Sequence, residues 1–320
     1  MTSPRLAVPA VALLEQAGCR IHYMEPFPSA EAVCTLTGAI QAHAILTRQG
    51  PVNASAMAAS RRLRVVARHG VGIDDVDLVA AAARGIVVAR APGSNTRAVA
   101  EHTMAMILAL AKDLHVLSPS LDAGGWRAAA SKVRDVAGLR IGIVGYGAIG
   151  QRVAQFALAF GMSVTAWGGS AVGAAQPGVS RAPSLESLLA SSDVLTLHCP
   201  LTPETYDLIN AEALALLPAG ALVINNARGG VVNETALLAV LESGHVAGAA
   251  LDVFEIEPPP LDHPLRHHPR VIRTPHVSGV TDGALVSMGV MAAECIIAVL
   301  AGGVVPPERL VRLEGASFRG

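Results

Sequence analysis

Arg228, Glu257 and His276 are three side chains whose types could together handle charge and a proton on a small organic acid. They stand in "INNARGG" (224–230), "LDVFEIEPP" (251–259) and "RTPHVSG" (273–279), and each stretch ends or follows a run that reads as a strand. An arginine offers a planar fork to a carboxylate. A histidine can exchange a proton near neutral pH. A carboxylate beside a histidine balances the charge it acquires and fixes its orientation. Taken singly, each also has an ordinary reading: a surface arginine, a solvated loop histidine, a loop glutamate. A parallel sheet would bring them together, because ligands gather at the carboxyl ends of its strands.

A second constellation lies upstream. The strand-like "RIGIV" runs into Gly145, Gly147 and Gly150, a GxGxxG pattern, and then into a helix with Ile149, Val153, Phe156 and Phe160 on one stripe. Gly145 would permit a tight turn, Gly147 a close backbone approach to a pyrophosphate, and Gly150 close packing of helix on strand. The pyrophosphate would sit on the helix N-terminus near Ala148, where free N–H groups favour anions. An acidic residue for the ribose is expected about 20 residues on. The chain has Trp167, Gly168, Gly169 and Ser170 there, with neither that acid nor an arginine to attract a 2′-phosphate. The stretch predicts a dinucleotide site, NAD or NADP, and leaves the preference open.

The elements that must position these residues alternate along the chain. Strand-like runs are "HAILT", "LRVVAR", "GIVVA", "RIGIVG", "MSVTAW", "DVLTLHC", "ALVINNA" and "AGAALDV", with helical patterns such as "SLESLLASS" and "NETALLAVLESG" between them. Short buried strands separated by helices imply parallel sheets covered on both faces. One block runs to about Arg97. A second starts at the helix "RAVAEHTMAMILALAKDLHVL" and extends to about Gly279. Within it "EPPPLDHPLRHHPR" reads as a surface loop. A last helix, "GALVSMGVMAAECIIAVLAGG", would return to the first block.

The chain has 320 residues, 52% hydrophobic and 15% charged, with net charge -1 and 3% aromatics. A large core is easy to build. Nothing in the charge or the aromatics invites nucleic acid or an anionic membrane. Cys19, Cys34, Cys199 and Cys295 are scattered without a CxxC pair, which fits reduced thiols in the cytoplasm and no zinc site. His263, His267 and His268 sit in the proline-rich loop without metal-ligand spacing, so no metal is expected. No signal peptide is read at the N-terminus, and no run approaching the roughly 20 apolar residues of a membrane span is recognised.

In order along nearly the whole chain, "RHGVGIDDVDLVAAAARGIVV", "AEHTMAMILALA", "GIVGYGAIG", "LHCPLTPETYDLIN", "NNARGGVVNETALL", "LDVFEIEPP" and "TPHVSG" resemble the D-isomer-specific 2-hydroxyacid dehydrogenase family, in a D-3-phosphoglycerate dehydrogenase-like form. The resemblance implies an α/β fold of two doubly wound parallel-sheet domains. A Rossmann-type cofactor domain, 99–281, is inserted into a flavodoxin-like substrate domain, 1–98 plus 282–320, with the active site in the cleft. No appended regulatory domain is expected. The resemblance implies that Arg228 holds the substrate carboxylate and carbonyl oxygen, that His276 exchanges the proton, and that Glu257 pairs with His276. It assigns the dinucleotide to Gly145, Gly147, Ala148, Ile149, Gly150, His198, Pro200, Thr205, Ala227, Asp252 and Gly279. It assigns the substrate to the loop of Gly70, Val71 and Gly72, whose N–H groups form an anion nest. Arg48 and Arg68, at strand ends, suggest a second anion on the substrate, as in 3-phosphoglycerate. The family also implies a homodimer through the cofactor domain, to which the apolar "AEHTMAMILALA" would contribute unless it serves simple core packing.

Two positions depart from the family's frequent pattern, with Asn233 where aspartate and Lys112 where arginine is common. Asn233 can still cap the following helix. Glutamine replaces Glu257 in formate dehydrogenases, whose reaction moves no alcohol proton, so Glu257 favours hydroxyacid chemistry. A glyoxylate or hydroxypyruvate reductase is the nearest alternative. A dinucleotide-sensing corepressor is the alternative of another class.

Overall fold

The computed structural model describes residues 2–3, 5–126, 133–169 and 176–312. Among them the chain separates into two compact units, residues up to Asn95 together with those from Val280 onward, and Thr96–Gly279.

The first unit is built on four parallel strands, β1 (Thr2–Ser3), β2 (Ala44–Thr47), β3 (Val65–Arg68) and β4 (Val87–Ala89), in the order β1-β2-β3-β4. Its helices are α1 (Val8–Gln16), α2 (Ala30–Ala39), α3 (Ala54–Ala58), α4 (Leu78–Ala83) and the returning helix Asp282–Leu300. The period-two alternation of the strands explains the layering. Leu46, Val65, Ala67 and Ala89 pack with Ala10, Leu14, Ala292, Ile296 and Val299, whereas Ile45, Val66 and Val88 pack with Met57 and Ala81. Both faces are therefore covered. Ser29, Asn53, Asp77 and Thr281 each accept an N–H from the first turn of the helix they precede.

The returning helix corrects one expectation. It has 19 residues and a mean hydropathy of 2.1, so by length and composition it could cross a membrane. Its apolar side instead joins the core beneath β3 with α1.

The second unit carries β5 (Arg140–Val144), β6 (Ser163–Trp167), β7 (Val179–Arg181), β8 (Val194–Leu197), β9 (Ala221–Asn225), β10 (Val246–Leu251) and β11 (Val271–Arg273). All pair in parallel, in the order β11-β10-β9-β8-β5-β6-β7. The order reverses between β5 and β8, and that switch point is where an open α/β sheet leaves a crevice. Its helices are α5 (Thr96–Ala111), α6 (Leu114–Asp122), α7 (Ala148–Ala159), α8 (Leu185–Ala190), α9 (Ala211–Ala215), α10 (Glu234–Glu242) and α11 (Pro264–His267). Ile141, Ile143, Leu222, Ile224 and Ala250 meet Met104, Ile107, Leu110, Val153 and Ala157 on one face; Leu195, Leu197, Val223 and Leu251 meet Leu188, Leu214 and Leu237 on the other. Each such burial contributes about 1.5–3 kcal/mol, which is why apolar residues dominate both faces of the central strands.

Two elements differ from the sequence reading. The helix expected over 97–117 breaks at Asp113, which adopts φ +48, and α6 leaves α5 at 58°. Asp tolerates this left-handed conformation better than most residues. The loop expected over 257–270 contains the single turn α11, started by Pro264.

Candidate active site

The switch point is formed by two turns in contact. β5 leads into Gly145 at φ +91, where a Cβ would lie 2.6 Å from Cys199 N and 2.7 Å from the His198 carbonyl carbon. Only glycine lets the β5 turn rest against the end of β8. A Cβ on Gly150 would likewise overlap Gly145 O, so α7 packs onto its own entry turn. Gly147 N-caps α7 with no side-chain cap bond, no acidic residue stands in the first turn, and space beside Gly147 is open. The N–H groups of Ala148, Ile149 and Gly150 are thus uncapped by side chains at a positive helix end, which suits a pyrophosphate.

His198 follows β8, its N–H donating to Val144 O at 2.7 Å and its Nε2 lying 2.9 Å from Thr196 Oγ1. Burial pushes its imidazole down to about 3, so it is neutral at ordinary pH, and its Nδ1 is buried without a partner. The Thr205 hydroxyl donates to Pro200 O at 2.6 Å and accepts Thr202 N–H at 2.7 Å, closing the turn that follows. At the end of β6, Gly145 N–H donates to Trp167 O and Tyr146 N–H to Gly168 O, at 2.9 and 3.1 Å. No acid occupies Trp167–Gly169. Ser170 lies outside the described residues.

Arg228, Glu257 and His276 leave the carboxyl ends of three neighbouring strands, β9, β10 and β11. Asn225, Leu251 and Arg273 are the paired residues across those ends. The loops are bound to one another. Asp252 N–H donates to Asn225 O at 3.0 Å, Thr274 N–H to Leu251 O at 3.0 Å, and His276 N–H to Asp252 O at 2.8 Å. A Cβ on Gly229 would overlap the backbone of Phe254, so the Arg228 loop rests directly on the segment leading to Glu257. His276 Nδ1 lies 2.7 Å from Glu257 Oε2, and Phe254 N–H donates to Glu257 Oε1 at 3.2 Å. Arg228 is half-buried, with one guanidinium N–H donating to Ala227 O at 2.7 Å.

Two residues that sequence reasoning did not single out for this role hold the loops, buried Asn225 and half-buried Thr274. Asn225 donates to Arg228 O at 2.9 Å and accepts Ala227 N–H at 3.0 Å. Thr274 Oγ1 lies 3.1 Å from His102 Nε2 and donates to Asp252 at 2.5 Å. Asp252 itself, expected beside the nicotinamide, is fully buried; its carboxylate also accepts Val277 and Ser278 N–H at 2.9 and 2.8 Å. It therefore fixes the loop that carries His276, which is held at φ +53. Gly279 follows directly. A polar residue ending a wholly apolar strand, as Asn225 does, was the available signal.

The residues expected to bind substrate lie in the first unit, at the ends of β2 and β3. Arg68 is already engaged. Its Nε donates to Gly72 O at 2.8 Å and one terminal nitrogen pairs with Asp75 at 2.7 Å, so it shapes the Gly70–Val71–Gly72 loop. Burial and the neighbouring Arg68 guanidinium hold Arg48 below the usual arginine range. Buried His69, against the same two arginines, is pushed down to about 4 and is neutral. The local field is positive.

Among the described residues no group of His, Cys, Asp and Glu could hold a metal. His263 instead packs edge-on to Phe254 and lies 3.0 Å from Glu234, and His267 Nε2 lies 2.6 Å from Leu261 O. Asn233 caps α10 through Ala236 N–H at 2.8 Å, and Lys112 pairs with Asp135 at 2.9 Å.

A glycine turn at the switch point with a histidine–carboxylate pair on the same sheet edge defines a dinucleotide-dependent dehydrogenase architecture. Residues 104–278 match the family described as D-isomer specific 2-hydroxyacid dehydrogenase, NAD binding domain, and the chain belongs to that family. It is 42% identical over 269 residues to the D-3-phosphoglycerate dehydrogenase of Mycobacterium tuberculosis (strain ATCC 25618 / H37Rv), an alignment covering 83% of this chain and 51% of that protein. The chain thus spans about half the length of the curated relatives it matches. Among solved structures, the TT0316 protein from Thermus thermophilus superposes with TM-score 0.89 at 35% identity, covering 97% of this chain and 99% of that one. The D-lactate dehydrogenase from Aquifex aeolicus, complexed with NAD and lactic acid, superposes with TM-score 0.82 at 28% identity, covering 97% and 98%.

Proposed function

We propose that this protein is an NAD(P)-dependent oxidoreductase that interconverts a D-2-hydroxy acid and its 2-keto acid. The observation that carries this reading is the 2.7 Å pairing of His276 with Glu257 on the sheet edge that also carries the Arg228 loop. A bound nicotinamide dinucleotide supplies or accepts the hydride. Gly145, Gly147 and the first turn of α7 hold its pyrophosphate; His198, Pro200 and Thr205 flank its adenosine side, and Ala227, Asp252 and Gly279 its nicotinamide side. Arg228 binds the substrate carboxylate and stabilises negative charge on the carbonyl oxygen. A carboxylate only accepts hydrogen bonds, so Nδ1 of His276 keeps its proton and Nε2 delivers one to that oxygen during reduction. Glu257 orients the ring and balances its charge. A carboxylate at this position favours alcohol chemistry over formate oxidation.

In this reading 99–281 is the dinucleotide domain and 1–98 with 282–320 the substrate domain. The nest of Gly70, Val71 and Gly72, braced by Arg68, supports a carboxylate-binding role for the latter. Arg48 supports a second anion on the substrate, and relatives named D-3-phosphoglycerate dehydrogenase favour the same class. We further propose a cytoplasmic homodimer without nucleic-acid or membrane partners. α5 is buried in its own unit, but α6 has no fully buried residue, and Leu114, Leu121 and Trp126 around it are exposed, which supports contact with a second copy there. Turnover of a 2-keto acid panel with NADH and NADPH tests the reading. Reduction of a dianionic acid ahead of glyoxylate and hydroxypyruvate is expected. The reverse order favours the reductase alternative, and dinucleotide binding without turnover of any acid favours a sensor.

A further inference from the structure

Among the described residues no carboxylate stands at the end of β6, and the fold brings a cation there that the local sequence does not reveal. β7 pairs in parallel with β6, Ala166 opposite Arg181, and Ala182 N–H donates to Ala166 O at 3.0 Å. Arg181 thus stands one strand away, roughly 4.8 Å between backbones, from the end of β6. Arg181, Ala182 and Pro183 line one open pocket with Trp167 and Gly168. Among the described residues no carboxylate lines it. Arg181 is exposed and forms no hydrogen bond or ion pair among the described residues. Gly168, at φ +70, has no atom within 4 Å of where a Cβ would stand, whereas a Cβ on Gly169 would lie 2.6 Å from Tyr146 N. The turn is pinned on one side and roomy on the other.

We propose that Arg181 selects the cofactor, its guanidinium receiving the 2′-phosphate of NADP(H). This rests on the dinucleotide reading above. A planar guanidinium binds phosphate through paired charge-assisted hydrogen bonds. An acid at Trp167–Gly169 would have repelled that phosphate, and none is present.

Calorimetric titration of the wild type and Arg181→Ala with NADPH, NADH, 2′,5′-ADP and 5′-AMP tests this without turnover. The wild type is expected to bind NADPH at least tenfold more tightly than NADH. Arg181→Ala, at an exposed site, should weaken NADPH and 2′,5′-ADP about tenfold while NADH and 5′-AMP change less than twofold. Wild-type binding of NADH as tight as NADPH, or equal weakening of all four ligands in the variant, overturns the inference and leaves the dinucleotide reading standing. Failure of the wild type to bind either dinucleotide removes both.

Discussion

His276 Nδ1 and Glu257 Oε2 lie 2.7 Å apart, with the histidine backbone held in the left-handed region at φ +53. Glu257→Gln keeps the size and one acceptor oxygen but removes the charge that balances an imidazolium. A charge-assisted hydrogen bond is worth about 1.5–3 kcal/mol. Turnover should therefore fall about 10- to 100-fold, with dinucleotide affinity essentially unchanged. Steady-state kinetics beside a binding titration check this; unchanged turnover would make the pair incidental.

Asp252 is the keystone of the His276 loop, because its buried carboxylate accepts two backbone N–H groups and the Thr274 hydroxyl. Asp252→Ala takes the acceptor from all three donors, and the buried Ser278 N–H left without a partner costs about 1–3 kcal/mol. The variant should lose about 1–3 kcal/mol in urea unfolding and also lose turnover. A variant as stable as the wild type would show that the loop is held elsewhere.

The sequence made legible what depends on neighbours along the chain. Apolar runs marked most strands, the glycines marked the β5–α7 turn, and motif order marked Arg228, Glu257 and His276. It hid what depends on neighbours across the sheet. Nothing in "GVSRAPS" says that Arg181 pairs opposite Ala166. Nothing around Arg68 says that Asp75 and Gly72 already hold it. The break after α5 was hidden for another reason: the apolar pattern continues through Asp113, and only its backbone conformation ends the helix.

The two arginines of the first unit should separate by phenotype. Arg48→Ala removes a cation that pairs with no acid among the described residues, so KM for a dianionic acid should rise about tenfold or more while a simple 2-keto acid is little affected. Arg68→Ala loosens the Gly72 loop and should raise KM for all substrates alike. Equal effects of Arg48→Ala on both substrate classes would end the second-anion reading.

Acid should destabilise the protein well above the carboxylate range. His69 and His198 are pushed down to about 4 and about 3 by burial, so below pH 6.5 the unfolded chain takes up protons that the folded chain refuses. Their stabilisation is full above about 6.5 and falls with pH towards about 4 and 3 respectively, roughly 2 kcal/mol per histidine at pH 5. Urea unfolding at pH 7.5 and 5.0 measures it, and His69→Leu should flatten the slope. A wild-type stability that does not change between these pH values contradicts the assignment.

The proton donor is the centre of the proposed chemistry, and replacing it is the most direct test. His276→Asn retains a polar side chain at a position where φ +53 suits asparagine, so the loop should survive. With saturating 2-keto acid and reduced cofactor, turnover should fall about 100- to 10,000-fold, the range of general acid–base catalysis, while dinucleotide affinity by titration stays within about twofold. Turnover within a few-fold of the wild type would contradict the proposed chemistry and remove His276 from the reaction.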